Sequence, residues 1–177
     1  MRRVRYQVAV SLDGFIADSH DGYGWLPEEP EFDFQALYDQ FDTLLMGRRT
    51  FEIAADQLDS FRDKQLFVFS RTLDQADHPG VTIVPDGAAE LVRELKAGDG
   101  RDIWLYGGGQ LFRSLLLAGL VDTVEPAVMP VLLGGGLRLL PEAPGPWRLT
   151  LEWSQPYSTS GMVLLKYRVR YETEQSE

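Results

Sequence analysis

No cysteine occurs in this sequence. Disulfides, thiolate metal sites and a cysteine nucleophile are therefore excluded. Histidine is almost as scarce, at two residues. His20 and His78 both fall in loop-like segments where solvation is the ordinary outcome, although His20 sits where a loop can line a site. No metal centre is expected from such a ligand supply. No apolar run approaches the roughly 18 residues that a membrane-spanning helix needs. The basic start, Arg2, Arg3 and Arg5, is followed by only a short apolar stretch, broken by Gln7 and Asp13. That is not the long apolar region of a signal peptide, and a cytoplasmic protein is expected. Positive charge is in deficit, with 17 Lys and Arg against 27 Asp and Glu and a formal net charge of -10. Apart from the cluster at the start and the Arg48–Arg49 pair, the basic residues are scattered. A nucleic-acid partner is not expected, and an anionic ligand has to be drawn in by a local site.

What remains is ordinary globular material: 44% hydrophobic and 25% charged residues in a chain of 177. This length favours one domain, taken here as 1–172, with 173–177 as a frayed tail. Residues 4–10 read as a buried strand, and 11–30 as a long loop of the functional kind. Phe34, Leu37, Tyr38 and Phe41 follow helical spacing. Strands are expected at 43–46, 65–70, 81–84, 102–106 and 122–129. Helices are expected from about Thr50 to Gln57, after Asp86 as N-cap, and from Gln110 to Ala118, ending at Gly119. Leu149, Leu151 and Trp153, and then Val163, Leu165, Tyr167, Val169 and Tyr171, alternate with polar residues, which argues an antiparallel hairpin with one solvated face. The fold class is therefore α/β, a mostly parallel sheet with an antiparallel C-terminal hairpin and helices on both faces.

Three segments carry candidate chemistry. Tyr106-Gly107-Gly108-Gly109-Gln110-Leu111-Phe112 lies between a strand and a helix. Glycines let the backbone approach a ligand, and a helix N-terminus offers N–H groups to a pyrophosphate. The pattern is not the dinucleotide fingerprint of a Rossmann domain. Met46-Gly47-Arg48-Arg49-Thr50-Phe51 stands at another strand-to-helix junction, where paired guanidinium groups suit phosphate oxygens. Ser70-Arg71 repeats the theme at the end of the next strand. The third segment runs from Asp13 through Asp18 to Trp25-Leu26-Pro27, a loop able to close over a cofactor.

In this order, the segments resemble the dihydrofolate reductase superfamily over nearly the whole chain. The nearest branch includes the reductase domain of the riboflavin-biosynthesis deaminase-reductase. Ser11-Leu12-Asp13-Gly14-Phe15-Ile16-Ala17 is similar to that branch's opening motif. Pro130-Val131-Leu132-Leu133-Gly134-Gly135-Gly136 resembles another of its segments. The resemblance implies a sheet of about eight strands and NADPH as hydride donor. It places Gly47, Arg48, Arg49 and Thr50 at the 2′-phosphate end, with Ser70 and Arg71 near the adenosine. It assigns Tyr106 to Phe112 to the diphosphate and ribose, and Ala9 and Ile16 to the nicotinamide region.

Folate reductases keep an acidic residue at the start of the first helix. Glu31 falls near that place and Asp33 competes with it, beside Trp25 and Phe34 as candidate substrate contacts. Both acids also suit a helix N-terminus on purely electrostatic grounds. A zinc-dependent deaminase domain has neither ligands nor room in this sequence. The riboflavin-type substrate carries a phosphate, for which no second clear site is found. The expected activity is an NADPH-dependent reductase acting on a pterin- or pyrimidine-like heterocycle. The alternatives are a folate reductase proper, or a non-catalytic nucleotide-binding protein on the same fold. The branch also implies a homodimer, formed around Val124 to Leu133 and the C-terminal hairpin.

Overall fold

Leu44, Leu45 and Met46, like Ile103, Trp104 and Leu105, are apolar at successive positions. A strand of that kind has two faces to bury, so it belongs in the middle of a sheet covered on both sides. The computed structural model describes residues 1–20 and 22–171, and the expected frayed tail lies outside them. Among these residues the chain forms β1 (Val4–Ser11), β2 (Phe15–Ala17), α1 (Phe34–Tyr38), β3 (Phe41–Gly47) and α2 (Arg48–Ile53). It continues with β4 (Gln65–Phe69), β5 (Thr82–Val84), α3 (Ala88–Ala97), β6 (Asp102–Gly107) and α4 (Gly109–Leu117). It ends with β7 (Thr123–Met129), β8 (Leu137–Arg138), β9 (Arg148–Pro156) and β10 (Val163–Arg170). No helix among them is long and apolar enough to cross a membrane.

The main sheet has eight strands in the order β5-β4-β3-β6-β1-β7-β10-β9. All neighbours from β5 to β7 are parallel, and β10 is antiparallel to both β7 and β9. The expected eight-stranded, mostly parallel sheet with an antiparallel C-terminal hairpin is therefore observed. The period of two splits the core. Leu45, Ile103 and Leu105 pack with Tyr6 against Phe112, Leu115 and Leu116 of α4. Leu44, Met46 and Trp104 face the other way, against Leu37, Phe51 and Phe61.

Several local expectations are corrected. Phe41 does not continue the first helix but opens β3, although it packs in the same cluster as Leu37. Its ring stacks on Trp104 at 5.0 Å, so helical spacing was satisfied by two elements serving one core. The helix after Gly47 starts at Arg48 and gives way to a 3₁₀ helix over Ala55–Phe61. Asp86 does not cap α3. The N-cap is Gly87 with φ +77°, and the Asp86 carboxylate pairs with Arg71 at 2.8 Å instead. His78 is half-buried, edge-on to Phe51. β7 lies between β1 and β10, so Val124 is interior rather than part of an edge. In the hairpin, pairing steps from Lys166–Trp153 to Tyr167–Leu151, skipping Glu152 and breaking the phase of β9. β9 ends the sheet, and Leu149, Leu151 and Trp153 stay 42%, 53% and 46% exposed.

A buried ion pair ties β1 to β7. Arg5 meets Glu125 through Nε–Oε1 at 2.8 Å and Nη2–Oε2 at 2.7 Å, while Thr123 donates to Oε1 at 2.7 Å. Burial pushes the Glu125 carboxyl up, but the hydrogen bonds and charge of Arg5 outweigh it and hold the group below its usual range. The second tie joins two loops. Asp13 accepts from Leu133 N–H at 3.1 Å and Gly134 N–H at 2.7 Å. The Ser11 hydroxyl first, and then these amides, hold its carboxyl at about 2.

Glu125→Gln removes the nearer counter-charge of buried Arg5, leaving Asp102 at 3.4 Å, and should destabilise the fold by about 3 kcal/mol in urea unfolding. Asp13 has a folded pKa below its unfolded value, so its contribution is complete above about pH 4 and lost as pH falls towards 2. Asp13→Asn should therefore flatten the acid limb of the stability profile below about pH 4, read by thermal unfolding at stepped pH.

Candidate active site

In a parallel sheet the segments that leave the strands at their carboxyl ends share one edge, where α/β proteins bind ligands. Here β6 ends in Gly107, with φ +146° and a cis Gly107–Gly108 peptide. A Cβ on Gly107 would lie 3.5 Å from the Thr50 side chain, and one on Gly108 3.4 Å from Thr50 Oγ1. The turn and the start of α2 thus stand within ordinary van der Waals reach of each other, and it is the positive φ of Gly107 that calls for glycine. Gly109 is constrained from the other side, since a Cβ there would stand 2.6 Å from the Arg138 carbonyl oxygen and 2.9 Å from Pro141 Cδ. α4 starts at this residue, with its first N–H groups beside the turn.

The edge opens onto a cavity of about 560 Å³. Its floor is Gln7, Ala9, Trp104, Tyr106 and Ala127 from the sheet, and Gly107, Gly108 and Thr50 border it. One wall is Phe34, Leu37 and Tyr38 of α1 with Ile53 and Gln57; the other is Tyr23, Leu26, Pro27, Glu29 and Phe32. Tyr38 and Tyr106 flank Trp104 at 5.7 and 5.0 Å between ring centroids. Such a surface takes a flat aromatic guest.

Two of its ionisable groups, Tyr106 and Glu29, have opposite characters. Burial pushes the Tyr106 phenol up to about 12, and it donates to Gln57 Oε1 at 3.0 Å. It is a neutral donor at any ordinary pH. Glu29 is held below the usual carboxylate range, first by the Ser160 hydroxyl and then by the N–H groups of Glu31 and Ser160. It is an anion, latching the wall to the turn before β10.

The carboxylates expected at α1 stand outside this cavity. Asp33 caps α1, accepting from Ala36 N–H at 2.8 Å. Glu31 is exposed and accepts from Thr159 at 3.3 Å. Glu29, two residues before Glu31, is the carboxylate that lines the cavity. Phe34 lines the cavity, but Trp25 does not; its indole N–H donates to the Gly22 carbonyl at 3.0 Å. Ala9 and Ile16 line it, with Ile16 on β2, held by pairing of β2 with β8. Gln7, Tyr23, Tyr38, Gln57 and Met162 were not anticipated. Gln7 did leave a signal, since a polar residue within a buried apolar strand breaks the pattern.

Gly47 pairs with Phe69, so Arg48-Arg49 and Ser70-Arg71 leave neighbouring strands side by side. Arg48 and Arg49 are exposed, and Arg48 pairs with Glu52 at 3.6 Å. A second hollow of about 320 Å³ lies between the ends of β4 and β5, lined by Ser70, Arg71, Asp86 and Gly87. The Ser70 hydroxyl oxygen accepts the N–H groups of Thr72 and Leu73. Gln110 is exposed on the first turn of α4. The Leu111 and Phe112 side chains are buried in the opposite core, with Phe112 stacked on Tyr6 at 4.1 Å. Only their backbone can face a ligand at this edge.

An eight-stranded α/β sheet with a glycine turn at its carboxyl edge, beside an aromatic cavity, is a dihydrofolate reductase-like arrangement. The family model described as the RibD C-terminal domain matches residues 2–163. The uncharacterized protein YyaP of Bacillus subtilis (strain 168) is 32% identical, over 94% of either chain. A crystal structure from Shewanella sp. PV-4, of a protein named for riboflavin biosynthesis, superposes with a TM-score of 0.78 at 26% identity, covering 96% of this chain and 99% of that one. The diaminohydroxyphosphoribosylaminopyrimidine deaminase/5-amino-6-(5-phosphoribosylamino)uracil reductase of Thermotoga maritima shares the fold at a TM-score of 0.68 and 18% identity, with 57% of its length covered. The chain belongs to the RibD C-terminal domain family.

Gly109→Ala should drive α4 off the 138–141 segment and destabilise the protein by about 1–3 kcal/mol in urea unfolding. Gln110→Ala, on the exposed side of the same turn, should stay within about 0.5 kcal/mol of wild type.

Proposed function

We propose that the protein is an NADPH-dependent reductase that transfers a hydride to a pterin- or pyrimidine-like heterocycle. The observation that carries this reading is the Gly107–Gly108 turn, cleared of side chains down to Thr50 and opening directly into an aromatic cavity. Membership of the RibD C-terminal domain family supports it. The residues present fit a nicotinamide dinucleotide. The first turn of α4 offers the backbone N–H groups of Gly109, Gln110 and Leu111 to the diphosphate, while the Phe112 N–H closes the turn on the Gly108 carbonyl at 3.1 Å. Arg48 and Arg49, with Gly47 and Thr50, meet the 2′-phosphate end, and Ser70 and Arg71 border the adenosine. Ala9 and Ile16 pack against the nicotinamide, whose chemistry when bound is hydride donation.

The chain's own part is orientation and exclusion of water. Tyr38, Trp104 and Phe34 hold a flat substrate by its faces. Tyr106, with its proton retained, turns its O–H from Gln57 to a ring heteroatom where charge develops. A folate reductase proper fits less well, because neither Glu31 nor Asp33 reaches the cavity and Glu29 is already ionised. Assembly as a homodimer belongs to the same reading, with the exposed apolar residues of β9 as the surface for it. A monomer mass by light scattering overturns that part.

Nicotinamide fluorescence should report micromolar binding of NADPH and much weaker binding of NADH. Arg48→Ala with Arg49→Ala should weaken NADPH by roughly tenfold or more, the effect of losing charged hydrogen bonds to a phosphate, and leave NADH unchanged. Failure of wild type to bind either nucleotide overturns the reductase reading.

A further inference from the structure

Arginine at the phosphate end of the edge is already matched with acid. Arg48 stands 3.6 Å from Glu52 in its own helix. Arg71 is held more closely, by Asp86. Phe69 pairs with Val84, so Arg71 and Asp86, each two residues further on, leave β4 and β5 side by side. They line the 320 Å³ hollow together with Ser70 and Gly87. One carboxylate oxygen, Asp86 Oδ1, accepts from Arg71 Nε at 3.0 Å and lies 2.8 Å from Nη2. Nε and Nη2 form an edge of the guanidinium that can grip a phosphate in bidentate fashion. Asp86 fills that edge.

Stability does not account for the pair. The two side chains are 80% and 72% exposed, and an ion pair so exposed adds little to a fold. Nor does α3 account for the carboxylate. An aspartate just before a helix is an ordinary N-cap, yet α3 is capped by Gly87 with no side-chain hydrogen bond, and Asp86 turns to Arg71 instead. What the pair does change is the charge offered to a ligand in the hollow. A phosphate there must take Arg71 from Asp86 and sit beside the carboxylate. A free ribose hydroxyl meets no such opposition, since it can donate to a carboxylate. A repulsive group of this kind sets the difference between two affinities.

We propose that Asp86 is a selectivity-determining residue that acts through Arg71. By occupying the guanidinium it withholds one cation from the 2′-phosphate and narrows the preference of the site for NADPH over NADH. The inference deepens the reductase reading and rests on it. Arg48 and Arg49 favour the phosphorylated cofactor, and Asp86 limits how far they do so.

The test is calorimetric titration of wild type, Asp86→Ser, Arg71→Ala and the double variant with NADPH, NADH and adenosine 2′,5′-bisphosphate. Asp86→Ser should bind NADPH and the bisphosphate on the order of fivefold more tightly than wild type, and NADH no more tightly. The gain should largely vanish in the Arg71→Ala background, because the two residues act as a unit. Melting of Asp86→Ser should stay within the range of an ordinary surface substitution, which separates a change of site from a change of fold. NADPH affinity that is unchanged or weaker in Asp86→Ser overturns the proposal. So does an equal gain for NADH, or a gain that persists in full without Arg71. Wild type that binds none of the three probes sinks the reductase reading and the proposal with it. Wild type that binds NADPH, with no response to Asp86→Ser, overturns the proposal alone.

Discussion

Everything at the site depends on the parallel pairing of β3, β6 and β1. Parallel hydrogen bonding forces each strand to leave the sheet at the same edge, and the apolar faces on both sides force a return crossover for each. Leu45, Ile103 and Tyr6 on one face and Leu44, Trp104 and Phe41 on the other fix that register. A slip of one residue would put Trp104 under α4 and Leu105 into the cavity. The meeting of Ala9, Gly47 and Gly107, nearly a hundred residues apart along the chain, is thus a consequence of core packing and not of any local signal.

The charges follow the same logic. Arg5 and Gln7 occupy the same face of β1, two residues apart. Arg5 is held by Glu125 on β7 and by Asp102 on β6, which locks it into the sheet. Gln7 has no such partner for its side-chain oxygen. Glu29, Glu31 and Asp33 divide in a related way. One latches the cavity wall to Ser160, one reaches Thr159, and one caps α1.

Much of the fold was legible in the sequence. Apolar runs at 43–46, 65–70 and 102–106 marked central strands, because burial on both faces leaves no polar alternation. The Gly107-Gly108-Gly109 and Gly47-Arg48-Arg49 segments were legible as candidate ligand sites because they stand at the carboxyl ends of strands, where open α/β sheets bind ligands. Less visible was which element Phe41 belongs to, since its spacing served a core shared by helix and strand. The bulge at Glu152 was invisible too, because the alternation of β9 is unbroken in sequence while its pairing is not.

Residue chemistry and period alone therefore determined the sheet class, the helical cover and the edge at which the glycine turn lies. Only the tertiary structure decided which side chains face the cavity. Leu111 and Phe112 turned away into the core, Trp25 turned to its own loop, and Glu29 rather than its acidic neighbours reached the wall. The physical reason is that strand and helix formation are governed by local patterns. The facing of a loop residue or a helix end is set by contacts with segments a hundred residues distant, such as the Thr159–Ser160 turn that meets Glu29 and Glu31.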